Sequence, residues 1–157
     1  MRLGIDPGLT GAIVLMAIDE IVKIWDMPVS AKTHGKGKQV NAFILNDIIQ
    51  EAIDLSLAKD EKLTATVEQV SAMPGQGVTS MFGFGRSFGV IEGVLAANNI
   101  STRLITPQRW KKQFNLTGKE KDASRTKAIS LYPEVSHLLS RKKDNGRADA
   151  IFIASAA

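Results

Sequence analysis

Two β-prone runs in this chain end on an acid, and each is followed by residues that cannot continue a strand. Arg2 to Asp6 stops at Pro7-Gly8, and Leu63 to Val67 leads into Glu68 ahead of Met73-Pro74-Gly75-Gln76-Gly77. A strand that is apolar until its last residue is buried along its length and delivers that residue at the end of the sheet. Taken singly, Asp6 reads as an Asx-turn residue, the ordinary role of an aspartate before Pro-Gly. Two such acids ask for a shared explanation. If the first and fourth strands are parallel neighbours, the carboxylates emerge side by side, and a divalent cation is the simplest relief of their repulsion.

The rest of the pattern supports that arrangement. Arg2 to Asp6, Gly11 to Ala17 and Ile21 to Met27 read as an antiparallel meander, broken by Pro7-Gly8 and Asp19-Glu20. Ser30 to Gln39 holds three lysines, two glycines and a histidine with almost nothing to bury, and is expected to be a mobile loop. From Asn41, a suitable N-cap, the period becomes helical, with Phe43, Ile44, Ile48, Ala52 and Leu55 on one side. Ser80 to Asn98 is again helical, and Gly85, Gly89 and Gly93 recur along one face. Each glycine costs about 1 kcal/mol against alanine, so the stripe suggests close approach of the sheet or of a second subunit. A fifth strand spans Thr102 to Thr106, and helices follow at Gln108 to Phe114, from Asp122 to Leu131, and from Gly146 to Ala157. The expected architecture is α/β, with a mixed five-stranded sheet and one domain over residues 1–157.

Composition narrows the chemistry. The 157 residues contain no cysteine and two histidines, which excludes thiolate chemistry and argues against a histidine-rich metal site. A metal here would be held by carboxylates, favouring magnesium or manganese. No apolar run is long enough to span a bilayer, and the start lacks a secretory pattern, so a cytoplasmic protein without membrane partners is expected. The net charge of +4 is unevenly placed, in Lys32 to Lys38, Arg109 to Lys127 and Arg141 to Arg147, which suits a polyanion such as DNA.

A third acid, Asp149, stands in Gly146-Arg147-Ala148-Asp149-Ala150, within a helix otherwise small and apolar. It faces either a basic partner or a metal, because a lone buried carboxylate is costly. The Gly-Ile-Asp-Pro-Gly-Leu-Thr-Gly start, Val-Glu-Gln-Val at 67–70 and the Gly-Arg-Ala-Asp-Ala stretch together resemble the RuvC family of Holliday-junction resolvases, particularly its phage-type members. The resemblance also takes in Gly85 to Ala96 and Thr106 to Lys111, so it covers nearly the whole chain.

That resemblance implies a ribonuclease H-like fold with helices on both faces of the sheet. It implies a homodimer that nicks two opposing strands of a four-way junction in recombination or repair, in the cytosol of a bacterium or a phage-infected host. Asp6, Glu68 and Asp149 match the family's catalytic, metal-binding acids. The acid or histidine expected three residues before the last aspartate is Gly146 here, and Asp144 is the nearest substitute, though it reads equally well as an N-cap. Two Mg2+ ions per site, with Mn2+ able to substitute, roughly 3.5 to 4 Å apart, would serve an in-line displacement at phosphorus.

Lys111, Lys112, Lys119, Lys121, Arg125 and Lys127 form the expected DNA-contacting set, since phosphate contacts give affinity and position. Met73, Met81 and Phe82 are apolar residues where exposure is plausible, and Met73 or Phe82 could wedge into an opened junction. Core packing is the default for Phe82. Two other readings stand beside the nuclease. One is a catalytically silent junction-binding protein of the same fold, which the retained acids disfavour. The other is an actin-like or sugar-kinase ATPase, which would share the Asp6 loop but needs a second domain and a second phosphate loop.

Overall fold

The computed structural model describes residues 1–18, 20–69, 71, 75 and 77–156. Met73 lies outside the described residues. One five-stranded sheet organises the chain in the order β3-β2-β1-β6-β7. Its strands are β1 (Arg2–Ile5), β2 (Ala12–Ala17), β3 (Glu20–Asp26), β6 (Thr64–Glu68) and β7 (Ser101–Ile105). The meander β1-β2-β3 is antiparallel, while β6 and β7 run parallel to β1. The sheet is therefore mixed, as the sequence pattern requires.

Helices cover both faces. On one side α1 (Ala42–Ala58) and α2 (Val78–Ala97) pack through Leu45, Ile49, Ile91 and Leu95 against Leu3, Ile5, Leu15 and Val67. On the other lie α3 (Pro107–Gln113), α4 (Ala123–Leu131) and α5 (Asn145–Ser155), whose Trp110, Ala128 and Phe152 pack with Val14 and Met16. All six residues of β2 are buried because alternate side chains enter the two cores. Short 3-10 segments at Pro133–Leu139 and Lys142–Asp144 join α4 to α5.

Helix α5 lies directly on β1. A Cβ at Gly4 would sit 2.3 Å from both the Ala150 carbonyl oxygen and the Ala154 amide nitrogen, so this crossing admits only glycine. Asp149, one residue before that contact, is thereby carried toward the end of β1.

Several local expectations are corrected. The segment from Ser30 to Gln39 is not all loop: β4 (Val29–Ala31) and β5 (Lys38–Val40) form a two-stranded hairpin, with Val40 buried at its base. In α1 the core face is Leu45, Ile48, Ile49 and Ala52, while Phe43 and Ile44 are exposed. Phe43 and Ile44 fall on the side of the first turn away from Leu45, which alone of the three enters the core. Asn41 does cap this helix, accepting from the Phe43 and Ile44 amides at 3.1 and 3.2 Å. Asp122 precedes α4 but gives it no side-chain cap, because its carboxylate is taken by Arg125. The glycine stripe of α2 does not touch the sheet: Gly85, Gly89 and Gly93 are exposed, with open space where a Cβ would stand. Phe82 is 73% exposed, against the expectation of core packing.

Candidate active site

The parallel register β1 to β6 pairs Ile5 with Val67, so Asp6 and Glu68 leave adjacent strands side by side. Asp149 approaches from α5. Local structure fixes each acid. One Asp6 oxygen accepts the Gly8 amide at 3.0 Å, so the Asx-turn is real and coexists with whatever the rest of the carboxylate does. Gly11 closes that turn through its bond to the Gly8 carbonyl, and a Cβ there would lie 2.2 Å from the Asp6 carbonyl oxygen. Glu68 Oε1 accepts the Trp110 indole N–H at 2.8 Å.

Trp110 was not a candidate in the sequence, yet it orients the second acid. It is fully buried and stacks on Phe152 with centroids 6.3 Å apart and planes 7° from parallel. The signal was there to find: a lone large aromatic in the polar run Pro107-Gln-Arg-Trp-Lys-Lys-Gln113 must point inward. The same helix carries Lys111, whose charge acts on Asp6, Glu68 and Asp149 alike.

The three acids are costly to ionise as they stand. Burial, reinforced by the charges of Glu68 and Asp149, pushes the Asp6 carboxyl up to about 7 despite its bond from Gly8. Burial raises Glu68 against the opposing Trp110 bond, and raises Asp149 against the Ser124 hydroxyl and the Lys111 charge. A cluster of hard oxygen donors that carries unrelieved negative charge suits a divalent cation of the magnesium type. Among the described residues, no three acidic or histidine side chains stand close enough to enclose an ion.

A pH dependence follows. In the unfolded chain these carboxyls ionise near their ordinary values, while folded Asp6 keeps its proton to about 7. Between those limits the unfolded chain binds fewer protons, so stability falls as pH rises across the window and levels off above it. Thermal melts in EDTA are expected to show that decline, and excess Mg2+ to flatten it. A flat EDTA profile would mean that the acids are not buried together.

Asp144 stands apart. Its buried carboxylate accepts Arg141 Nη2 at 2.8 Å and the Arg141 amide at 2.8 Å, with Arg147 Nη1 3.9 Å away. These contacts, the Arg141 side chain first, hold it below the usual carboxylate range. It caps the 3-10 turn before α5 instead of joining the acid cluster. Nor is there room for an acid at 146, where a Cβ would lie 2.4 Å from the Thr10 carbonyl oxygen and 2.8 Å from Gly11 Cα.

A cleft of about 660 Å³ opens over Asp6 and Asp149, walled by Glu120, Lys121, Lys142, Lys143 and Asn145. The Asn145 Oδ1 is buried with no hydrogen-bond partner among the described residues. Nothing in the sequence distinguished Asn145 or Glu120 from neighbouring polar residues. Of the basic residues expected to meet DNA, Lys119 and Lys121 border an adjoining hollow together with Lys111 and Asp149. Lys112 is exposed on α3. Arg125 and Lys127 have internal partners instead: Arg125 is forked onto Asp122 and donates to the Leu139 carbonyl, and Lys127 donates to the Phe114 carbonyl at 2.5 Å.

Comparison with solved structures decides the fold. RuvC of Thermus thermophilus in complex with a Holliday junction substrate superposes with a TM-score of 0.55, covering 98% of this chain and 90% of that one. The chain has the ribonuclease H-like fold of RuvC. A second Thermus thermophilus RuvC structure aligns over the same shares with a TM-score of 0.50. Identity to these RuvC chains is 12% and 14%, so the likeness is one of architecture. In sequence, the chain is 32% identical over 149 aligned positions to a protein of Chlamydomonas reinhardtii described as Holliday junction resolvase MOC1, chloroplastic. That alignment takes in 85% of this chain but only 17% of the relative's length. No family model matches the chain.

Proposed function

We propose that this chain is a structure-selective endodeoxyribonuclease of the RuvC type, acting on four-way junctions and related branched DNA through a single catalytic domain over residues 1–157. The observation that carries the reading is that Asp6 and Asp149, from the end of β1 and from α5, line one cleft rimmed by lysines, while Glu68 leaves the neighbouring strand beside Asp6 and its charge acts on Asp6. The RuvC fold and the identity to a relative named as a Holliday junction resolvase support it.

Asp6, Glu68 and Asp149 would hold divalent ions, magnesium or manganese, which supply a lowered pKa for attacking water and charge relief at the phosphate. The protein's own residues do the rest. Trp110 fixes the Glu68 carboxylate by its indole N–H, and the Gly8 amide fixes one Asp6 oxygen. Lys121, Lys142 and Lys143 line the cleft as phosphate-binding cations. No helix among the described residues is long and apolar enough to cross a membrane.

The direct test is incubation of a synthetic four-way junction with the protein and Mg2+, beside a linear duplex of equal length. Paired nicks in opposing strands of the junction are expected, with the duplex left intact and EDTA abolishing the reaction. Junction binding without cleavage in either Mg2+ or Mn2+ would leave the silent binding protein as the better reading.

Two symmetric nicks require two sites, so the active form is taken to be a homodimer joined through α2. The exposed line of Phe82, Gly85, Gly89 and Gly93 offers a surface on which two such helices can approach closely. A Cβ added at Gly89 would meet nothing within 4 Å beyond its own helix, and removing a helical glycine favours the helix by about 1 kcal/mol. The Gly89→Leu variant is expected to sediment as a stable monomer and to lose paired nicking. A variant that stays dimeric would place the interface elsewhere.

A further inference from the structure

The acid-lined cleft is one of several hollows that share walls. It shares Thr10 and Lys143 with a second hollow, which is also lined by Lys38 and Leu9. Those two residues line a third hollow together with Lys32, against the start of α2. On the other side, Lys121 and Asp149 are shared with the hollow that holds Lys111 and Lys119. The result is a continuous groove past the end of β1, with Asp6 and Asp149 near its middle and lysines along both arms.

The arm that runs to the β4–β5 hairpin had no assigned role. Resting on the nuclease reading above, we propose that this arm is a second phosphodiester-binding track, in which Lys143, Lys38 and Lys32 follow the backbone of one DNA strand away from the scissile phosphate. The charge pattern of the groove supports an anionic occupant. The two acids that line this arm, Asp26 and Asp144, are each neutralised, by Arg147 at 2.6 Å and by Arg141 at 2.8 Å. The arginines are thus consumed and the acids silenced. The three lysines have no carboxylate within 4.0 Å among the described residues, so their charge remains available. Lys32 is half-buried beside the start of α2, with its ammonium 3.9 Å from where a Gly83 Cβ would stand.

The hairpin explains the geometry. Pairing of Ala31 with Lys38 sets Lys32 and Lys38 close together at the loop end of the ribbon, while Val29 and Val40 tie the other end to the core. An unstructured loop of the same composition would carry the same charge but would have to be ordered on binding, at an entropic cost.

The test measures junction affinity as a function of salt for full-length protein, without divalent metal so that no cleavage intervenes. The double variant Lys32→Ala with Lys38→Ala is compared with wild type and with Lys59→Ala with Lys62→Ala, which removes equal charge at the opposite end of the sheet. If the track is right, the slope of log affinity against log salt falls by about 0.7 to 0.9 for each lost contact, and the control slope stays at wild type. Lys119→Glu with Lys121→Glu should reduce the slope independently. Three results overturn the proposal. An unchanged slope in the hairpin variant, with wild-type binding and a reduced slope in Lys119/Lys121, rejects the track while leaving the nuclease reading intact. Equal reductions in hairpin and control variants reduce it to net charge. Failure of wild-type protein to bind the junction at any salt rejects the track together with the function on which it rests.

Discussion

Asp6→Asn is expected to lower junction cleavage by about 100- to 1,000-fold while the protein still folds and still binds the junction, the range typical of removing one preorganised charge-stabilising group. The asparagine oxygen can accept the Gly8 amide as Asp6 does, so the turn from β1 survives. What is lost is the negative charge that burial now makes expensive, with the carboxyl pushed up to about 7. Two further consequences separate this loss from a general defect. Binding of the polyanion should be equal or tighter, because a repelling charge has gone. The melting temperature in EDTA above pH 7 should rise, because the Asp6 carboxyl is no longer there to ionise while buried. Glu68→Gln and Asp149→Asn are expected to behave alike, on the same physical grounds. Near-wild-type cleavage by Asp6→Asn would remove this residue from the catalytic core, and a parallel loss of binding and cleavage would make its role structural.

Gly4→Ala is expected to cost more stability than any conservative change on the surface, at or above the roughly 1 to 3 kcal/mol usual for overpacking. The methyl group would stand 2.3 Å from the Ala150 oxygen and the Ala154 nitrogen, and these are backbone atoms of a helix, which cannot rotate away. Either α5 lifts or β1 bends, and both carry catalytic candidates. The checkable outcome is a large drop in denaturant midpoint accompanied by loss of cleavage. Wild-type stability in Gly4→Ala would mean that the helix sits farther from the strand than described.

Much of this was legible because it rests on period and punctuation. The acid-ended strands, the antiparallel meander and the crossover through α1 follow from alternating apolar residues stopped by Pro7-Gly8 and capped at Asn41. The missed features depend on contacts between distant segments. Asp144 looked like a spare ligand, and only the fold sets Arg141 and Arg147 around it. Gly146 looked like a missing acid, whereas the Thr10–Gly11 backbone occupies the space a side chain would need. Phe82 looked like core because apolar residues in a helix usually are, but it falls on the face of α2 turned away from the sheet. Arg125 and Lys127 could not be told from free cations until Asp122 and the Phe114 carbonyl were brought beside them.

The docking of α5 on β1 also sets an order of events during synthesis. The meander, α1 and β6 can pair as soon as they emerge, so Asp6 and Glu68 meet early. Asp149 belongs to the last helix described, and its partner strand is the first. Contacts so distant along the chain form late, after the loop-closure entropy of everything between them has been met. A nascent chain therefore holds two of the three acids without the third, and the proposed site would stay incomplete until α5 has left the ribosome and closed over Gly4.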